Sequence, residues 1–195
     1  VSDGTNTATQ EITVNVTNVN DVAPEFTSNA TFSAAENQTA VGTVTANDAE
    51  GDTVTFTISG TDLEITTAGV LTFASAPDYE TVTSFTATVT ASDGVNTTTQ
   101  DITVNVTNVN DNSPVITSNA NFSAEENQTA IGTVTATDDD GDTVTFSVSG
   151  SELQITSAGV LSFVSAPDYE SKDTYTATVT AVSYTHLTLP TKRIV

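Results

Sequence analysis

Two nearly identical stretches, "TNVNDNSPVI" at residues 107–116 and "TNVNDVAPEF" at residues 17–26, decide how this chain is organised. Each places a run of Asn and Asp shortly before a proline, and the first run holds four such side chains within five positions. A turn needs only one or two residues of this kind. The surplus of side-chain oxygens, repeated ninety residues along the chain, therefore calls for an explanation beyond turn formation.

The ninety-residue spacing extends over most of the chain. Aligning residues 23–91 with residues 113–181 without gaps gives 47 identities in 69 positions, and residues 2–21 match residues 92–111. We therefore expect three parts of a repeated unit. They are the tail of a preceding repeat with its linker (1–22), a complete repeat with its linker (23–112) and an incomplete repeat that lacks its last strand (113–181).

Residues 182–195 depart from the repeat. The complete repeat reads "ASDGVNTTTQ" where the next copy reads "AVSYTHLTLPTKRIV". The string "VSYTHLTLPT" resembles one reading frame of a sequencing-library adapter, so we expect this tail to be non-native, with a genuine divergent terminus as the alternative. Without its last strand, the incomplete repeat is expected to have an open sheet edge and an uncovered core.

Apolar and polar residues alternate within the complete repeat, which is the period-two pattern of half-buried β-strands. Val54, Phe56 and Ile58 alternate with Thr, and the same alternation continues through residues 102–106. About seven short strands separated by turn signals predict an all-β fold of tandem immunoglobulin-like Greek-key β-sandwiches. No stretch of helix length shows a 3.6-residue period.

The charge of the chain is strongly unbalanced. It carries 25 acidic residues against 3 basic ones, which gives a formal net charge of −22. A chain without a basic patch is not a nucleic-acid-binding protein, because it has nothing to neutralise phosphates. The same charge argues against an anionic membrane surface as partner, and no apolar run is long enough for direct membrane insertion.

Most of the acids lie in short motifs at strand ends, where a sandwich gathers its loops at two poles. Two unit charges about 4 Å apart repel by about 4 kcal/mol at an effective dielectric of about 20. The chain has too few cations to offset several converging carboxylates. Because Ca²⁺ accepts about six to eight oxygens from carboxylates, amides and carbonyls together, we expect calcium ions at these poles.

These motifs resemble those of the cadherin repeat in both order and spacing. The matching strings are "AEN" at 35–37, "NDAE" at 47–50, "PDYE" at 77–80, "ASDG" at 91–94 and "NVNDNSP" at 108–114. One such motif alone would be weak support, but five in order, largely repeated in the next copy, are specific. The Thr-rich character and the "DYE" string look like the bacterial surface-protein branch of that family.

The resemblance implies calcium at each junction between successive repeats. For the junction between the complete and incomplete repeats, the implied ligands are Glu36, Asp78, Glu80, Asn108, Asn110, Asp111, Asn112, Asp138 and Asp140. For the partial junction near residue 22, they are Asn20, Asp21, Asp48, Glu50 and Asp93. Asn108 stands where the family pattern has Asp, and Glu50 replaces the second Asp of D-x-D, so the number of ions stays open.

The resemblance also implies a function. We expect an extracellular, cell-surface repeat that calcium stiffens within a large adhesin and that supports cell adhesion. Its partners would be calcium ions, neighbouring repeats of the same chain, and other cell-surface proteins or glycans. The alternative is a carbohydrate- or protein-binding accessory module of a secreted enzyme.

We do not expect the chain itself to be an enzyme. It lacks a Ser-His-Asp set, a phosphate-binding glycine loop and a cysteine-based zinc pattern. The paired carboxylates of "PDYE" could suggest glycoside hydrolysis. That loop recurs in each copy of the repeat, however, and tandem repeats rarely carry one active site per copy.

Overall fold

The computed structural model describes Val1 and residues 4–184, and this part of the chain contains β-strands and no helix. The all-β prediction is therefore confirmed. It follows that no helix within these residues could cross a membrane. Residues 185–195, which make up most of the expected non-native tail, lie outside the described residues.

The strands are short and follow the period-two segments of the sequence. In the complete repeat they are β1 (Glu25–Phe26), β2 (Thr31–Ala35), β3 (Ala40–Thr43), β4 (Ala46–Asn47), β5 (Thr55–Ile58), β6 (Leu63–Ile65), β7 (Val70–Phe73), β8 (Ser84–Ser92) and β9 (Thr97–Thr107). In the following repeat they are β10 (Val115–Ile116), β11 (Ala130–Thr133), β12 (Ala136–Thr137), β13 (Thr143–Val148), β14 (Leu153–Ile155), β15 (Val160–Phe163) and β16 (Val179–Tyr184).

The complete repeat has two main sheets. One has the strand order β2-β9-β8-β5 and the other the order β3-β7-β6, while β1 and β4 form a separate pair. Strand β5 pairs antiparallel with β8 from Thr55↔Ser92 to Ile58↔Val89. The pairing of β3 with β7 shifts register between Ala40 and Gly42, so the ladder is irregular there.

The core of this repeat follows the alternation seen in the sequence. In β9, Ile102, Val104 and Val106 are buried, whereas the residues between them are exposed or half-buried. Leu71 and Phe73 of β7 are buried in the same alternating way. Fully burying a side chain of this size stabilises the fold by about 1.5–3 kcal/mol, so these strands hold the sandwich together.

The following repeat keeps only part of this arrangement. Its sheets are β13-β16 and β11-β15-β14, with β10 and β12 as a separate pair. Residues 121–125, the counterpart of β2, form no strand, and none of the described residues supplies a counterpart of β9. Its buried apolar side chains within the described range are Val134, Leu161, Phe163 and Pro167.

One backbone contact is the same in both copies and explains the "AGV" string that they share. Gly69 has a φ of +88°, and a Cβ placed there would lie 2.2 Å from the carbonyl oxygen of Val44. Gly159 has a φ of +86° and would meet the carbonyl oxygen of Val134 at the same distance. Only glycine fits this turn, because any side chain would collide with the backbone.

Contacts divide the chain into two compact units that do not follow the repeat boundaries. The first unit comprises Val1–Phe32, Thr39–Ser75 and Phe85–Asn105. The second comprises Ser33–Gln38, Ala76–Ser84 and the residues from Val106 onward. The repeat boundaries drawn from the sequence therefore stay a prediction.

Candidate metal centre

Four acids of the second unit form what we call the linker cluster: Glu36, Glu80, Asp111 and Asp140. Each offers a carboxylate oxygen, and these oxygens all lie within 4.8 Å of one another. In the part of the chain that the structure describes, none of the four forms an ion pair with a basic side chain. The cluster therefore concentrates negative charge that no side chain of the protein offsets.

Glu36 is the most buried member of the linker cluster, with 3% of its surface exposed. It follows the end of β2, and Asn37 next to it has a φ of 61°, a left-handed conformation that Asn tolerates better than most residues. One carboxylate oxygen accepts a hydrogen bond from the backbone N–H of Tyr79 and the other from that of Val109, each at 2.7 Å. Glu36 thus ties the "PDYE" loop to the linker through two charge-assisted hydrogen bonds.

Asp140 holds the other side of the linker. It accepts the backbone N–H groups of Asp111 at 3.1 Å and Asn112 at 2.8 Å. Partial burial raises the pKa of Asp140, but the hydrogen bonds from Asn112 and Asp111 outweigh it and leave the pKa below its usual value. Asp140 is therefore held in its ionised form.

Glu80 is in the opposite electrostatic situation. Burial raises the pKa of Glu80, and a hydrogen bond with Asp78 and the nearby charges of Glu36 and Asp140 raise it further. Ionisation of Glu80 is thus disfavoured while the site holds only carboxylates. A cation would reverse that preference, because it would attract the ionised form.

The asparagines of the linker point their amide nitrogens at these acids. Asn108 donates to the backbone carbonyl of Asp140 at 2.8 Å, and Asn110 donates to the carboxylate of Asp142. Asn112 donates to the carboxylate of Asp140 at 3.3 Å. Each of these amides also carries an oxygen. Rotating the amide group by half a turn about the last side-chain bond would direct this oxygen, instead of the nitrogen, toward the cluster.

Among the described residues, three further groups of three acids bring their oxygens within 4.8 Å of one another, and two of them contain a buried oxygen without a hydrogen-bond partner. Those two are Asp138, Asp140 and Asp142, and a set that we call the N-terminal cluster, Asp48, Glu50 and Asp52. One oxygen of Asp48 and one of Asp138 are buried without a hydrogen-bond partner in the described structure. Buried polar atoms are nearly always paired, so these two oxygens fit a site for a bound cation.

Glu50 repeats the contact made by Asp140. Its carboxylate accepts the backbone N–H groups of Asp21 at 2.9 Å and Val22 at 3.0 Å. The longer side chain of Glu therefore reaches the same backbone groups as the Asp found in the next copy. The replacement of Asp by Glu at position 50 therefore keeps these two hydrogen bonds to the linker backbone.

Asn96, which was not singled out from the sequence, connects Asp93 and Asn20 by hydrogen bonds. Asn96 donates from its amide to the side-chain oxygen of Asn20 at 2.7 Å and to Asp93 at 3.2 Å. Burial raises the pKa of Asp93, but hydrogen bonds from Asn96 and Val95 outweigh it and lower the pKa overall. In the next copy Ser183 stands at this position and accepts a 3.4 Å hydrogen bond from Asn110.

Asp78 is placed beside the linker cluster but outside the set of close oxygens. Its carboxylate accepts hydrogen bonds from the hydroxyl of Thr81 at 2.9 Å and from the backbone N–H of Glu80 at 3.0 Å. These bonds, opposed by partial burial, lower the pKa of Asp78. Asp78 therefore caps its own loop and contacts the cluster through Glu80.

Several residues of these clusters were not singled out from the sequence. Asp52 and Asp142 lie two residues beyond a named acid in a "GDTV" turn that both copies share, and this repetition was the available signal. Asn37 donates to Asp111 at 2.6 Å and also went unnamed. The "EEN" string at 125–127, the counterpart of "AEN", and the second "PDYE" string form a further exposed group of acids: Glu126, Asp168 and Glu170.

Comparison with known proteins gives one curated relative and many similar structures. No family model matches the chain. Human protocadherin-15 is 39% identical over 106 aligned residues, which cover 49% of this chain and 5% of that protein. The chain thus spans only a small part of that relative's length.

Solved cadherin structures resemble the chain over most of its length. The EC22-24 segment of mouse cadherin-23 has a TM-score of 0.69 and 25% identity, covering 83% of this chain and 60% of that one. The human desmocollin-1 ectodomain has a TM-score of 0.71 and 22% identity, covering 85% and 38%. The EC1-2 segment of human protocadherin-24 has a TM-score of 0.68 and 22% identity, covering 83% and 97%.

These likenesses confirm the prediction of immunoglobulin-like β-sandwiches, because the neighbours are cadherin extracellular repeats. They agree with the five sequence motifs, which were found independently of any structure. The chain therefore has the fold of cadherin extracellular repeats.

Proposed function

We propose that the chain is a calcium-binding extracellular segment that stiffens a surface adhesin and supports cell adhesion. The observation that carries this proposal is the linker cluster, in which four carboxylates gather without a basic partner. Such crowding costs free energy unless a cation offsets it. The proposal explains why acids so far apart in the sequence are held together.

The donor atoms favour calcium over other metals. All of them are oxygens of carboxylates, amides or backbone carbonyls, whereas transition metals prefer nitrogen or sulfur ligands. Ca²⁺ also accepts crowded and irregular ligand sets, which Mg²⁺ does not. The unpaired oxygens of Asp48 and Asp138 support this assignment.

The proposed ligands are those named from the sequence, extended by the neighbours that the structure adds. Near the linker they are Glu36, Asp78, Glu80, Asn108, Asn110, Asp111, Asn112, Asp138, Asp140 and Asp142. Near residue 22 they are Asn20, Asp21, Asp48, Glu50, Asp52 and Asp93. Because the first set combines residues of the linker with residues of both repeats, bound calcium would order the linker and resist bending there.

A requirement for calcium would also determine the compartment in which the segment is folded and stiff. Binding to sites that exist only in the folded protein stabilises the fold by mass action. Extracellular modules commonly bind calcium at about 10⁻⁴ to 10⁻³ M, a concentration found outside cells but not in the cytosol. We therefore place the segment outside the cell, on a surface or in a secreted protein.

Calcium titration by calorimetry tests the site directly. The unmodified chain should bind calcium at millimolar concentrations, and Asp140→Asn should weaken that binding by about tenfold or more, since it removes a charged ligand. Asp62→Asn is the matched control, because it removes the same charge from an exposed turn. An absence of binding heat, or equal effects of the two substitutions, would contradict the proposal.

Stiffening is tested separately. Adding EDTA should lower the melting temperature and make residues 105–115 more flexible, which small-angle scattering would record as a wider distribution of dimensions. Scattering profiles that do not respond to EDTA would leave a calcium site without a mechanical role.

The surface-adhesin context is the finer part of the proposal. It is supported by the cadherin extracellular structures that the chain resembles. The Thr-rich, strongly acidic composition favours the bacterial kind of surface protein. We assign no catalytic role, because the acidic motifs recur with the repeat.

A binding module for glycans is the second candidate, and one observation favours it. Tyr169 in the second "PDYE" loop is 65% exposed, and exposed aromatic rings are common platforms for sugars. A glycan array probed with the full chain and with Tyr169→Ala would separate the candidates. Binding that depends on Tyr169 would favour the accessory-module function.

A further inference from the structure

The peptide bond between Asp140 and Gly141 joins an acid of the linker cluster to an exposed glycine. Glycine has no Cβ to shield its backbone nitrogen. A Cβ placed on Gly141 would meet no atom within 4 Å, so the space around this residue is open. An Asp-Gly pair of this kind can close a succinimide ring, because the glycine nitrogen can reach the side-chain carboxyl carbon of the residue before it.

Closing and reopening this ring converts Asp into isoaspartate. The nitrogen of Gly141 forms a bond to Cγ of Asp140, and one carboxyl oxygen leaves as water with the amide proton and a proton from the solvent. Water then opens the succinimide and returns a proton to the solvent. Breaking the new bond restores Asp, whereas breaking the original peptide bond gives isoaspartate, whose main chain runs through Cβ and Cγ. One water is lost and one is gained, so the reaction needs no other reactant.

Hydrogen bonds from the linker restrain Asp140 against this reaction. One carboxylate oxygen accepts the backbone N–H groups of Asp111 at 3.1 Å and Asn112 at 2.8 Å, and the other accepts the side-chain amide of Asn112 at 3.3 Å. The N–H of Gly141 donates to the backbone carbonyl of Asp138 at 3.1 Å. Ring closure must break several of these bonds, because the carboxyl group turns toward Gly141 and loses an oxygen.

The first repeat makes the same contact without the reactive pair. Glu50 stands at the position of Asp140 and accepts the backbone N–H groups of Asp21 at 2.9 Å and Val22 at 3.0 Å. It is also followed by an exposed glycine, Gly51. The additional methylene of Glu would require a ring one atom larger, which closes far more slowly. Glu therefore provides these hydrogen bonds without the reactivity of Asp.

The other Asp-Gly bond in the part of the chain that the structure describes, Asp93–Gly94, is restrained from within its own loop. The carboxylate of Asp93 accepts the backbone N–H groups of Val95 at 2.7 Å and Asn96 at 2.6 Å. The backbone N–H groups that bind Asp140 come from residues 28 and 29 positions away in the sequence. The restraint on Asp140 is therefore lost whenever the linker moves away, whereas the restraint on Asp93 persists.

We propose that Asp140–Gly141 is a site of spontaneous isomerisation to isoaspartate, which the bound linker suppresses. The free carboxylate of isoaspartate is attached to Cα instead of Cβ, so the N–H groups of Asp111 and Asn112 lose their acceptor. Isomerisation thus turns a reversible release of the linker into a lasting one. Suppression by calcium rests on the proposed function, whereas suppression by the linker hydrogen bonds does not.

Prolonged storage of the full chain at neutral pH, in calcium, in EDTA, and in EDTA with denaturing urea, tests the proposal. Peptide mapping combined with enzymatic methylation specific for isoaspartate measures the product at each Asp-Gly bond. At position 140 the product should form fastest in urea and at least about tenfold more slowly in calcium than in EDTA, because hydrogen bonds to a charged group are then held in place. In EDTA it should form faster at position 140 than at position 93. Equal rates at position 140 in calcium and in urea, or no product there in urea, would overturn the proposal.

A reciprocal pair of substitutions tests the chemistry. Asp140→Glu retains the charge and, as Glu50 shows, a side chain that can reach the linker backbone. It should abolish isoaspartate formation at position 140. Glu50→Asp should create a new site of isoaspartate formation at position 50 in EDTA. A Glu50→Asp chain that remains unmodified at that position would refute the assignment to the Asp-Gly pair.

Calorimetry on the same protein separates this inference from the proposed function. If calcium does not bind, the rates in calcium and in EDTA should be equal and both slower than in urea. That result would refute the calcium function but support suppression by the linker. If calcium binds and the rates in calcium and in EDTA are equal, the proposed function stands and suppression by calcium is refuted.

Discussion

The two copies of the repeat share most of their residues but bury them differently. Phe73 is 2% exposed and its counterpart Phe163 is 8% exposed. The contrast is larger near β2, where Ala34 is buried and Ala124 is exposed. Since the side chains are the same, the difference comes from β9, which covers the first core and has no described counterpart in the second.

The comparison also shows that strand formation depends on a neighbour. Residues 31–35 read "TFSAA" and form β2, whereas residues 121–125 read "NFSAE" and form no strand. Strand propensity of the two segments is similar, so it does not explain the difference. The first segment is a strand because β9 lies beside it in the sheet.

The largest expected effect is on hydrogen exchange. Amides of β8 and β9 should exchange at the rate of global unfolding, whereas those of β13 and β16 should open at a cost lower by about 3 kcal/mol or more, roughly a hundredfold in rate. Hydrogen-exchange mass spectrometry of the unmodified chain would measure this. Equal protection from hydrogen exchange in the two repeats would show that the second repeat is as stable as the first.

A matched pair of core substitutions gives the next largest effect. Ile102→Ala should destabilise the first repeat by about 2–5 kcal/mol, because it opens a cavity at a side chain that is 1% exposed. Ile12→Ala changes the same residue in the unpaired copy of the strand and should shift stability by less than about 0.5 kcal/mol. Urea denaturation of dilute protein would measure both, and similar losses would show that residues 7–17 are packed within the single chain.

A smaller effect is expected at Glu36 of the "AEN" string and at its counterpart Glu126. Glu36→Gln should cost about 1–3 kcal/mol, because the buried Glu36 side chain accepts from two backbone N–H groups, those of Tyr79 and Val109, and one of them loses its acceptor. Glu126→Gln should cost less than about 0.5 kcal/mol, since Glu126 is exposed and accepts from Tyr169 alone among the described bonds. Thermal unfolding monitored by circular dichroism would compare the melting temperatures of the two variants. A larger loss of stability for Glu126→Gln than for Glu36→Gln would contradict the structure.

The smallest expected effect is that of Glu80→Gln. It should be stabilising without calcium and should weaken calcium binding when calcium is present. The raised pKa of Glu80 means that protonation stabilises the folded state, a contribution present below the ordinary pKa of 4.5 and lost as pH rises through the folded value. In EDTA, Glu80→Gln should therefore raise the melting temperature slightly at pH 7 and change it little below about pH 4.

With calcium present, the same substitution should weaken binding, because a ligand charge is lost. Glu64→Gln, which removes a charge from the exposed face of β6, is the control and should show neither effect. A Glu80→Gln chain that is destabilised at pH 7 in EDTA would refute the inferred repulsion.

Part of the candidate site could be predicted from residues alone. Glu36, Glu80, Asp111 and Asp140 were named because they match the motifs of the cadherin repeat, and the structure brings their oxygens together. Their roles as calcium ligands remain a prediction.

Other details could not be read from the sequence. Asn37 reaches Asp111 only because its own backbone adopts a left-handed φ of 61°. Asp78 was named among the ligands from its motif, but its hydrogen bonds to Thr81 and to the backbone of its own loop could not be read from that motif. Local hydrogen bonds of this kind compete with a shared site, and their outcome depends on turn geometry.

The sequence by itself determined the repeat, the alternation that makes strands, and the placement of acids at strand ends, because these depend on residues close together in the chain. Only the tertiary structure decided which acids meet and which copies of a side chain are buried. Glu36 binds the backbone of Val109, 73 residues away, and Val104 is buried while Val14 is not. Proximity and burial depend on which strands pair across such distances, and a local pattern cannot encode that choice.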